Sequence, residues 1–168
     1  MTLKDNECLI TADTVVILGK RILNKPSDEQ EAIRMLTELS GKTHTVITGV
    51  CIGQAGPKPY TTSIRTAVTF HDLPQDKIAE YVKVFRPLDK AGAYGAQECL
   101  APDANPCAPG EQDFIARLGL GEIIARSKPP NWKAAPLTAI RRIDGPYFNV
   151  MGLPIAEIYD ELKRLLAL

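Results

Sequence analysis

The chain has 168 residues, of which 45% are hydrophobic and 24% charged, a composition typical of a folded domain with a sizeable core. Twenty basic residues balance twenty acidic ones, which leaves no electrostatic case for binding a nucleic acid polymer or an anionic membrane. Because no apolar run approaches the roughly 20 residues that span a bilayer and the first residues are polar, we expect a cytoplasmic protein.

The first 23 residues predict two strands. The apolar run 8–18 is interrupted only by Asp13, where we expect a break or a bulge. A turn at Gly19-Lys20 then leads to a short return strand over 21–23.

A helix and two longer strands are predicted next. Ser27 is the predicted N-cap, Gln30 completes a capping-box pattern, and Gly41 ends the helix. The run "THTVITGVCIG" is rich in β-formers, and the alternation over 63–70 indicates a half-buried strand.

The second half is less regular. Apolar residues at helical spacing predict a second helix between positions 78 and 85, followed by the loop "RPLDKAGAYGAQ". The proline-rich segment at about 98–136 is predicted to be a surface insertion outside the core sheet, with a helix interrupted by Gly119 and Gly121.

The end of the chain predicts a hairpin and a last helix. "LTAIRRI" and "YFNVMG" are expected to be strands joined by a turn at Asp144-Gly145, and Pro154 opens an amphipathic helix. Strands alternating with helices predict a single α/β domain over 1–168, with a mixed sheet.

The four cysteines and two histidines show no spacing typical of a zinc site. Neither histidine is tied to a cysteine by a pattern typical of nucleophilic catalysis. We expect Cys8 and Cys51 to be small buried hydrophobes on strands.

Asp13 is the first candidate for chemistry. A charge buried in an apolar strand costs several kcal/mol unless a cation offsets it, so a metal ion, a lysine or a cleft could explain it. The alternative is a structural aspartate that bonds backbone N–H groups in a bulge or turn.

Lys25 and the loop "LDKAGAYGAQ" hold further polar candidates. Pro26 favours an extended backbone at Lys25, which suits a phosphate-binding lysine ahead of a helix, although most such lysines are merely solvated. Asp89, Lys90 and Gln97 flank a run of small residues, where backbone can approach a polar ligand. An ordinary surface loop is the alternative.

Taken together, four motifs resemble one family in their order and spacing: "TADTVVILGKRILNKP", "EAIRMLTELSGKTHTVITGV", "FRPLDKAGAYGAQ" and "IDGPYFNVMGLPIAEIY". They look like the Maf family of nucleoside triphosphate pyrophosphatases. The resemblance implies a fold like that of the inosine triphosphate pyrophosphatases, with a curved mixed sheet and flanking helices. It implies hydrolysis of a triphosphate to the monophosphate and pyrophosphate, assisted by Mg²⁺ or Mn²⁺.

The same resemblance implies roles for individual residues. Asp13 matches the proton acceptor, and Thr14 and Gln97 match positions that set base specificity. The pair Asp13-Thr14 resembles the subfamily that acts on dTTP and UTP. The phosphate and metal end of the cleft matches Lys25, Asp89 and Lys90, with Asp13 and Asp89 as metal ligands.

Two departures from the family pattern qualify these expectations. No S-x-S-P-R-R loop is found ahead of the first strand, so we expect an N-terminal strand and helix to be missing, triphosphate binding to be weakened and a free sheet edge to favour pairing with another chain, such as a homodimer. The insertion after Gln97 is the second departure. A catalytically impaired nucleotide-binding or interaction protein of the same fold is therefore the alternative to an active enzyme.

Overall fold

The computed structural model describes residues 3–4, 7–56, 58–101, 104–122 and 137–166. Its strands are β1 (Cys8–Leu18), β2 (Arg21–Leu23), β3 (Thr43–Gln54), β4 (Tyr60–Phe70) and β5 (Ile140–Asp144). Its helices are α1 (Glu29–Leu39), α2 (Gln75–Phe85), α3 (Pro109–Arg117), α4 (Tyr147–Val150) and α5 (Ile155–Leu166), and short 3₁₀ turns cover Ala91–Ala93 and Ala96–Glu98. Within these ranges no helix has the length and apolar character needed to cross a bilayer.

The α/β prediction is confirmed, but the described sheet is antiparallel throughout rather than mixed. Its strand order is β2-β1-β3-β4-β5, and all four pairings are antiparallel. The connections from β1 to β2 and from β3 to β4 are short, and such connections join antiparallel neighbours. Helix α1 carries the chain from β2 past β1, so that β3 lies beside β1.

Strand β1 shows no break or bulge at Asp13, so that prediction is wrong. Its register with β3 is continuous from Cys8 opposite Gln54 to Ile17 opposite Thr45, and Asp13 lies opposite Gly49. Residues 9–13 are exposed, and β2 pairs with β1 only at its other end. A carboxylate on this open edge reaches water without disturbing the ladder.

One face of the sheet is covered by helices. The buried residues of β3 and β4 alternate along each strand, as a half-buried sheet requires. The larger hydrophobic cluster joins this face to α1, α2 and the loop after α2, and includes Leu36, Phe70 and Tyr81. A smaller cluster joins β3 to α5, through Ile52 and Ile158.

Helix α1 begins one residue later than predicted. Asp28, not Ser27, is the N-cap, and its Oδ1 accepts the backbone N–H of Glu31 at 2.7 Å. Ser27 instead donates its backbone N–H and hydroxyl to the Glu31 carboxylate, at 2.7 and 2.6 Å. The hydrogen bonds that cap the start of α1 therefore use the carboxylates of Asp28 and Glu31, and Gln30 does not take part in them.

The predicted second strand of the C-terminal hairpin is wrong, because residues 147–150 form the short helix α4. Pro146 precedes it and lacks the N–H that a paired strand would use. The carbonyl of Pro146 accepts a hydrogen bond from Thr66 of β4 at 2.8 Å, which turns the chain onto the sheet face. Gly145 has a φ of 125°, and a Cβ there would lie 3.0 Å from the Thr66 hydroxyl.

The described part of segment 98–136 adds no strand, but it is more than a surface insertion. Cys99, Leu100 and Phe114 are buried, and the carbonyl of Cys99 accepts the N–H of Ile140 at 2.9 Å. The high proline and glycine content of this segment predicted a surface loop, and these buried apolar residues were therefore missed. Residues 102–103 and 123–136 lie outside the described residues, as does most of the predicted helix beyond Gly121.

The cysteines are free thiols. Cys8 and Cys51 lie on strands as predicted, but both are half-buried rather than buried. Strand β1 is open to solvent along this stretch, which explains the difference.

Candidate functional site

The predicted site residues line one cleft of about 280 Å³ beside β1. They are Asp13, Thr14, Lys25, Asp89, Lys90 and Gln97. The remaining wall comes from β1 and β3, from the loop after α2 and from the end of α4, namely Ala12, Val16, Val46, Ala91, Tyr94, Gly95, Ala96, Val150, Met151 and Gly152. Residues that lie far apart in the sequence are therefore brought together around one cavity.

Asp13 lies at the rim of the cleft. Side chains alternate along a strand, so Asp13 and Thr14 leave β1 on opposite faces. Thr14 lines only the cleft, whereas Asp13, on the open edge of the sheet, lines both the cleft and a depression beside Gly49 and Cys51. Asp13 is exposed, so the expectation of a buried charge is wrong: among the described strands only β3 pairs with β1 at this level. Within the described residues no side chain pairs with its carboxylate, which leaves it free for a ligand.

Positive and negative groups meet at one end of the cleft. Lys90 Nζ donates to Asp89 Oδ1 at 2.8 Å, and this hydrogen bond holds the pKa of Asp89 below its usual value. The charge of Lys25 lowers the same pKa further. The side chain of Asp89 is 76% exposed and that of Lys90 29% exposed. Two cations and two carboxylates, Lys25, Lys90, Asp13 and Asp89, thus meet at the mouth, a set that suits phosphate groups bound together with a divalent cation.

The small residues after Lys90 let the loop lie directly on β1. Gly92 has a φ of 72°, and a Cβ there would lie 3.1 Å from the Val16 side chain. Its N–H donates to the carbonyl of Asn24 at 3.2 Å. The run "AGAYGA" was predicted to bring backbone close to a ligand, which stays a prediction; the contact that the structure shows is the one between this backbone and the sheet.

Two buried tyrosines anchor the loop that carries Gln97. The Tyr81 hydroxyl donates to Glu98 Oε2 at 2.6 Å and accepts the N–H of Gly95 at 3.0 Å. The Tyr94 hydroxyl bonds His44 Nε2 at 2.8 Å. Burial raises the pKa of both tyrosines and lowers the pKa of His44 to about 4, so these groups are uncharged at neutral pH.

A chain of hydroxyl groups runs from Thr14, on the floor of the cleft, into the buried layer behind it. Thr14 Oγ1 lies 2.9 Å from Thr48 Oγ1, and Thr48 donates to the backbone carbonyl of Asn149 at 3.1 Å. The Asn149 side-chain amide donates to the Val46 carbonyl at 3.2 Å and to Thr66 Oγ1 at 3.0 Å. These bonds hold α4 on the sheet face beside Thr14.

Glu111 holds α4 from the other side. Its side chain is 1% exposed. Oε2 accepts the N–H groups of Ala108 and Tyr147, both at 2.8 Å, and Oε1 accepts that of Phe148 at 2.7 Å. A carboxylate with three N–H donors is well compensated although it is buried. Helix α3 thereby supports the wall of the cleft through Glu111.

The comparison with known proteins agrees with this geometry. Residues 1–103, more than half of the chain, match the family described as Maf-like protein. The chain belongs to the Maf family. A relative from Phocaeicola vulgatus named dTTP/UTP pyrophosphatase is 38% identical over 164 residues, which are 98% of this chain and 66% of that protein.

Two further relatives carry the same name, dTTP/UTP pyrophosphatase. The one from Porphyromonas gingivalis is 39% identical over 161 residues, covering 96% of this chain and 63% of that protein. The one from Thermosipho africanus is 37% identical over 162 residues, covering 96% and 65%. The chain thus spans slightly less than two thirds of the length of these relatives.

The donor set of this Maf-family cleft fits a hard divalent cation. No group of three or more acidic, histidine or cysteine side chains that could hold a metal occurs among the described residues. Mg²⁺, however, is commonly bound through one or two carboxylates together with water and substrate phosphates. Asp13 and Asp89 are the two carboxylates that line the described cleft.

Sequence reasoning missed the groups that position the site. Thr48 could have been noticed as a polar residue between Val46 and Val50 on the covered face of β3. Asn149 was hidden by the strand prediction for "YFNVMG". Glu111 carries no local signal, because its partners Tyr147 and Phe148 are distant in the sequence.

Proposed function

We propose that this chain hydrolyses dTTP and UTP to the nucleoside monophosphate and pyrophosphate. The observation that carries the proposal is the convergence of the six predicted residues on one cleft of about 280 Å³. The names of the relatives, dTTP/UTP pyrophosphatase, support the choice of substrate.

The charges of the cleft supply what the reaction needs. Water is a weak nucleophile at neutral pH, and the solvated carboxylate of Asp13 is available to take its proton. Lys25 and Lys90 bind the triphosphate and balance negative charge that develops on the pyrophosphate leaving group. Thr14 and Gln97, deeper in the cleft, contact the base.

A divalent cation, Mg²⁺ or Mn²⁺, belongs to this proposal. Asp13 and Asp89 would hold it, and when bound it would neutralise phosphate charge and lower the pKa of bound water. Lys90 keeps Asp89 ionised by hydrogen bonding, which preserves its capacity as a ligand.

The test is a product analysis. The purified chain is incubated with Mg²⁺ and each of dTTP, UTP, CTP and GTP, and monophosphate, pyrophosphate and orthophosphate are quantified. We expect equal amounts of monophosphate and pyrophosphate from dTTP and UTP. An Asp13→Asn preparation purified in parallel controls for contaminating phosphatases.

The same experiment distinguishes an active hydrolase from a catalytically impaired nucleotide-binding protein of the same fold. Calorimetric binding of UTP without turnover would favour a nucleotide-binding protein of the same fold and contradict the enzymatic proposal. Orthophosphate as the main product would contradict it as well, because the chemistry would then be a stepwise phosphatase reaction.

Two further predictions accompany the proposal. A cytoplasmic location follows from the expected substrate pool, and fractionation of expressing cells tests it. A homodimer is expected from the open edge of β1 at residues 9–13. Light scattering on the purified chain measures its mass and decides between monomer and dimer.

A further inference from the structure

Thr14 on the floor of the cleft and Thr48 directly behind it carry two hydroxyl protons whose positions follow from their neighbours. Thr48 is fully buried and lies 2.9 Å from the Thr14 hydroxyl and 3.1 Å from the carbonyl oxygen of Asn149. A carbonyl oxygen only accepts hydrogen bonds, so the contact with Asn149 requires the proton of Thr48.

With its own proton used in this way, Thr48 must accept at its other contact. The Thr14 hydroxyl therefore donates its proton to Thr48. The opposite assignment would leave the Thr48 and Asn149 oxygens facing each other without a proton, in a buried place that water does not reach. Both contacts are satisfied only when the protons point from Thr14 to Thr48 and from Thr48 to Asn149.

The consequence concerns what Thr14 offers to a ligand. Thr14 is half-buried and lines the cleft. Once its single proton points at Thr48, only lone pairs remain on the cleft side. Thr14 then accepts a hydrogen bond from a ligand and does not donate one.

We propose that Thr48 is a positioning residue that makes Thr14 an obligate hydrogen-bond acceptor, so that the cleft selects bases with an N–H donor over bases with an acceptor at that edge. The inference rests on the proposed function and deepens it. Uracil and thymine carry an N–H at ring position 3, whereas cytosine carries an unprotonated nitrogen there. We call the pair of hydrogen bonds from Thr14 to Thr48 and from Thr48 to the Asn149 carbonyl the relay. The relay thus favours the imide bases, uracil and thymine, and disfavours cytosine.

The network beneath Thr48 keeps the acceptor carbonyl in place. Asn149 is fully buried, and its amide is bonded to Val46 and Thr66. Thr66 gives its own proton to the carbonyl of Pro146, so it can only accept from Asn149. The direction of every hydrogen bond from Pro146 to Thr14 is therefore set by carbonyl groups.

The experiment compares kcat/KM for UTP and CTP in the whole chain and its variants. Thr48→Val keeps the shape of the side chain and removes the hydroxyl, which frees the Thr14 proton to point into the cleft. We expect the UTP to CTP ratio to fall about tenfold, the typical effect of one neutral hydrogen bond. Thr48→Ser retains the relay and should keep the ratio of the unchanged chain.

Thr66→Val is the matched control. It removes the hydroxyl that accepts from the Asn149 amide, but the bond from this amide to the Val46 carbonyl remains and still holds Asn149. The contacts of Thr48 with Thr14 and with the Asn149 carbonyl are not themselves altered. We expect a lower melting temperature with an unchanged UTP to CTP ratio. Thr48→Ala removes the same hydroxyl with less bulk and replaces Thr48→Val if that variant does not fold.

The outcomes separate this inference from the proposed function. If the chain turns over UTP and loss of the Thr48 hydroxyl leaves the UTP to CTP ratio unchanged, the relay is overturned but the proposed hydrolase activity is not. Turnover of UTP and CTP with equal kcat/KM has the same consequence. Absence of any turnover contradicts the hydrolase. The relay is then tested by calorimetry with UMP and CMP, where equal affinities overturn it and a preference for UMP that Thr48→Val removes supports it.

Discussion

The mouth of the cleft and its floor are built on opposite principles. The mouth, formed by Asp13, Lys25, Asp89 and Lys90, is charged and largely open to solvent. The floor, lined by Thr14 and Tyr94 and backed by the buried Thr48 and Asn149, is uncharged and mostly buried, and each of these residues is hydrogen bonded.

This difference separates groups that act on a ligand from groups that hold the site together. Exposed charges contribute little to stability, because water and salt screen them. Buried polar groups cost free energy when a partner is lost. Variants at the mouth should therefore change activity with little effect on folding, and variants beneath the floor should change folding first.

The largest effect is expected at the mouth. Asp13→Asn should lower kcat/KM for dTTP by about 10²–10⁴-fold, the usual contribution of a general base. Because Asp13 is exposed, the free energy of unfolding should change by no more than about 0.5 kcal/mol. Pyrophosphate release and urea unfolding measure the two effects. Asp76→Asn, at an exposed carboxylate in the first turn of α2, should change neither, and full activity of Asp13→Asn would exclude the base role.

The second effect lies behind the floor. Glu111→Gln should lower the free energy of unfolding by about 3 kcal/mol, because an amide NH₂ would face N–H groups that now donate to a carboxylate oxygen. Urea unfolding provides the measurement. Asp113→Asn, on the exposed side of the same helix, is the control. A loss below about 1 kcal/mol would show that Glu111 does not hold α4.

A third effect depends on pH. Burial lowers the pKa of His44 from 6.5 to about 4, so the unfolded chain binds a proton at this site before the folded chain does. Stability should fall as pH drops from about 6.5 to about 4, by about 2–3 kcal/mol from this group. His44→Gln should flatten the profile in that window, whereas His71→Gln, at the surface, should leave it unchanged. Equal slopes in all three proteins would contradict the assignment.

The smallest effect is expected at an exposed ion pair away from the cleft. Arg21 Nη1 lies 2.9 Å from Glu38 Oε2, and the two side chains are 69% and 36% exposed. Arg21→Ala should cost less than about 0.5 kcal/mol, because solvent screens the pair. Thermal unfolding in low and high salt measures it. A decrease in the free energy of unfolding above about 1 kcal/mol would contradict the conclusion that exposed charges contribute less to stability than buried polar contacts.

The elements with strong local patterns were predicted from the sequence. Strands β3 and β4 and helix α2 carry regular apolar periodicity, and each was found where it was expected. The prediction failed where a distant partner decides the local structure. Helix α4 was expected to be a strand, and contacts of Pro146 and Asn149 with Thr66 accompany its helical form.

The candidate site shows the same division. The sequence by itself indicated the α/β class through its alternation of strands and helices, and the resemblance of its motifs to the Maf family indicated the residues at the mouth, for which local patterns alone had left a structural alternative open. Only the tertiary structure decided that Asp13 is exposed, that Thr48 orients Thr14 and that Glu111 supports α4. Their partners lie on separate elements, so no local pattern records the contacts, and hydrogen-bond direction follows only when donor and acceptor meet.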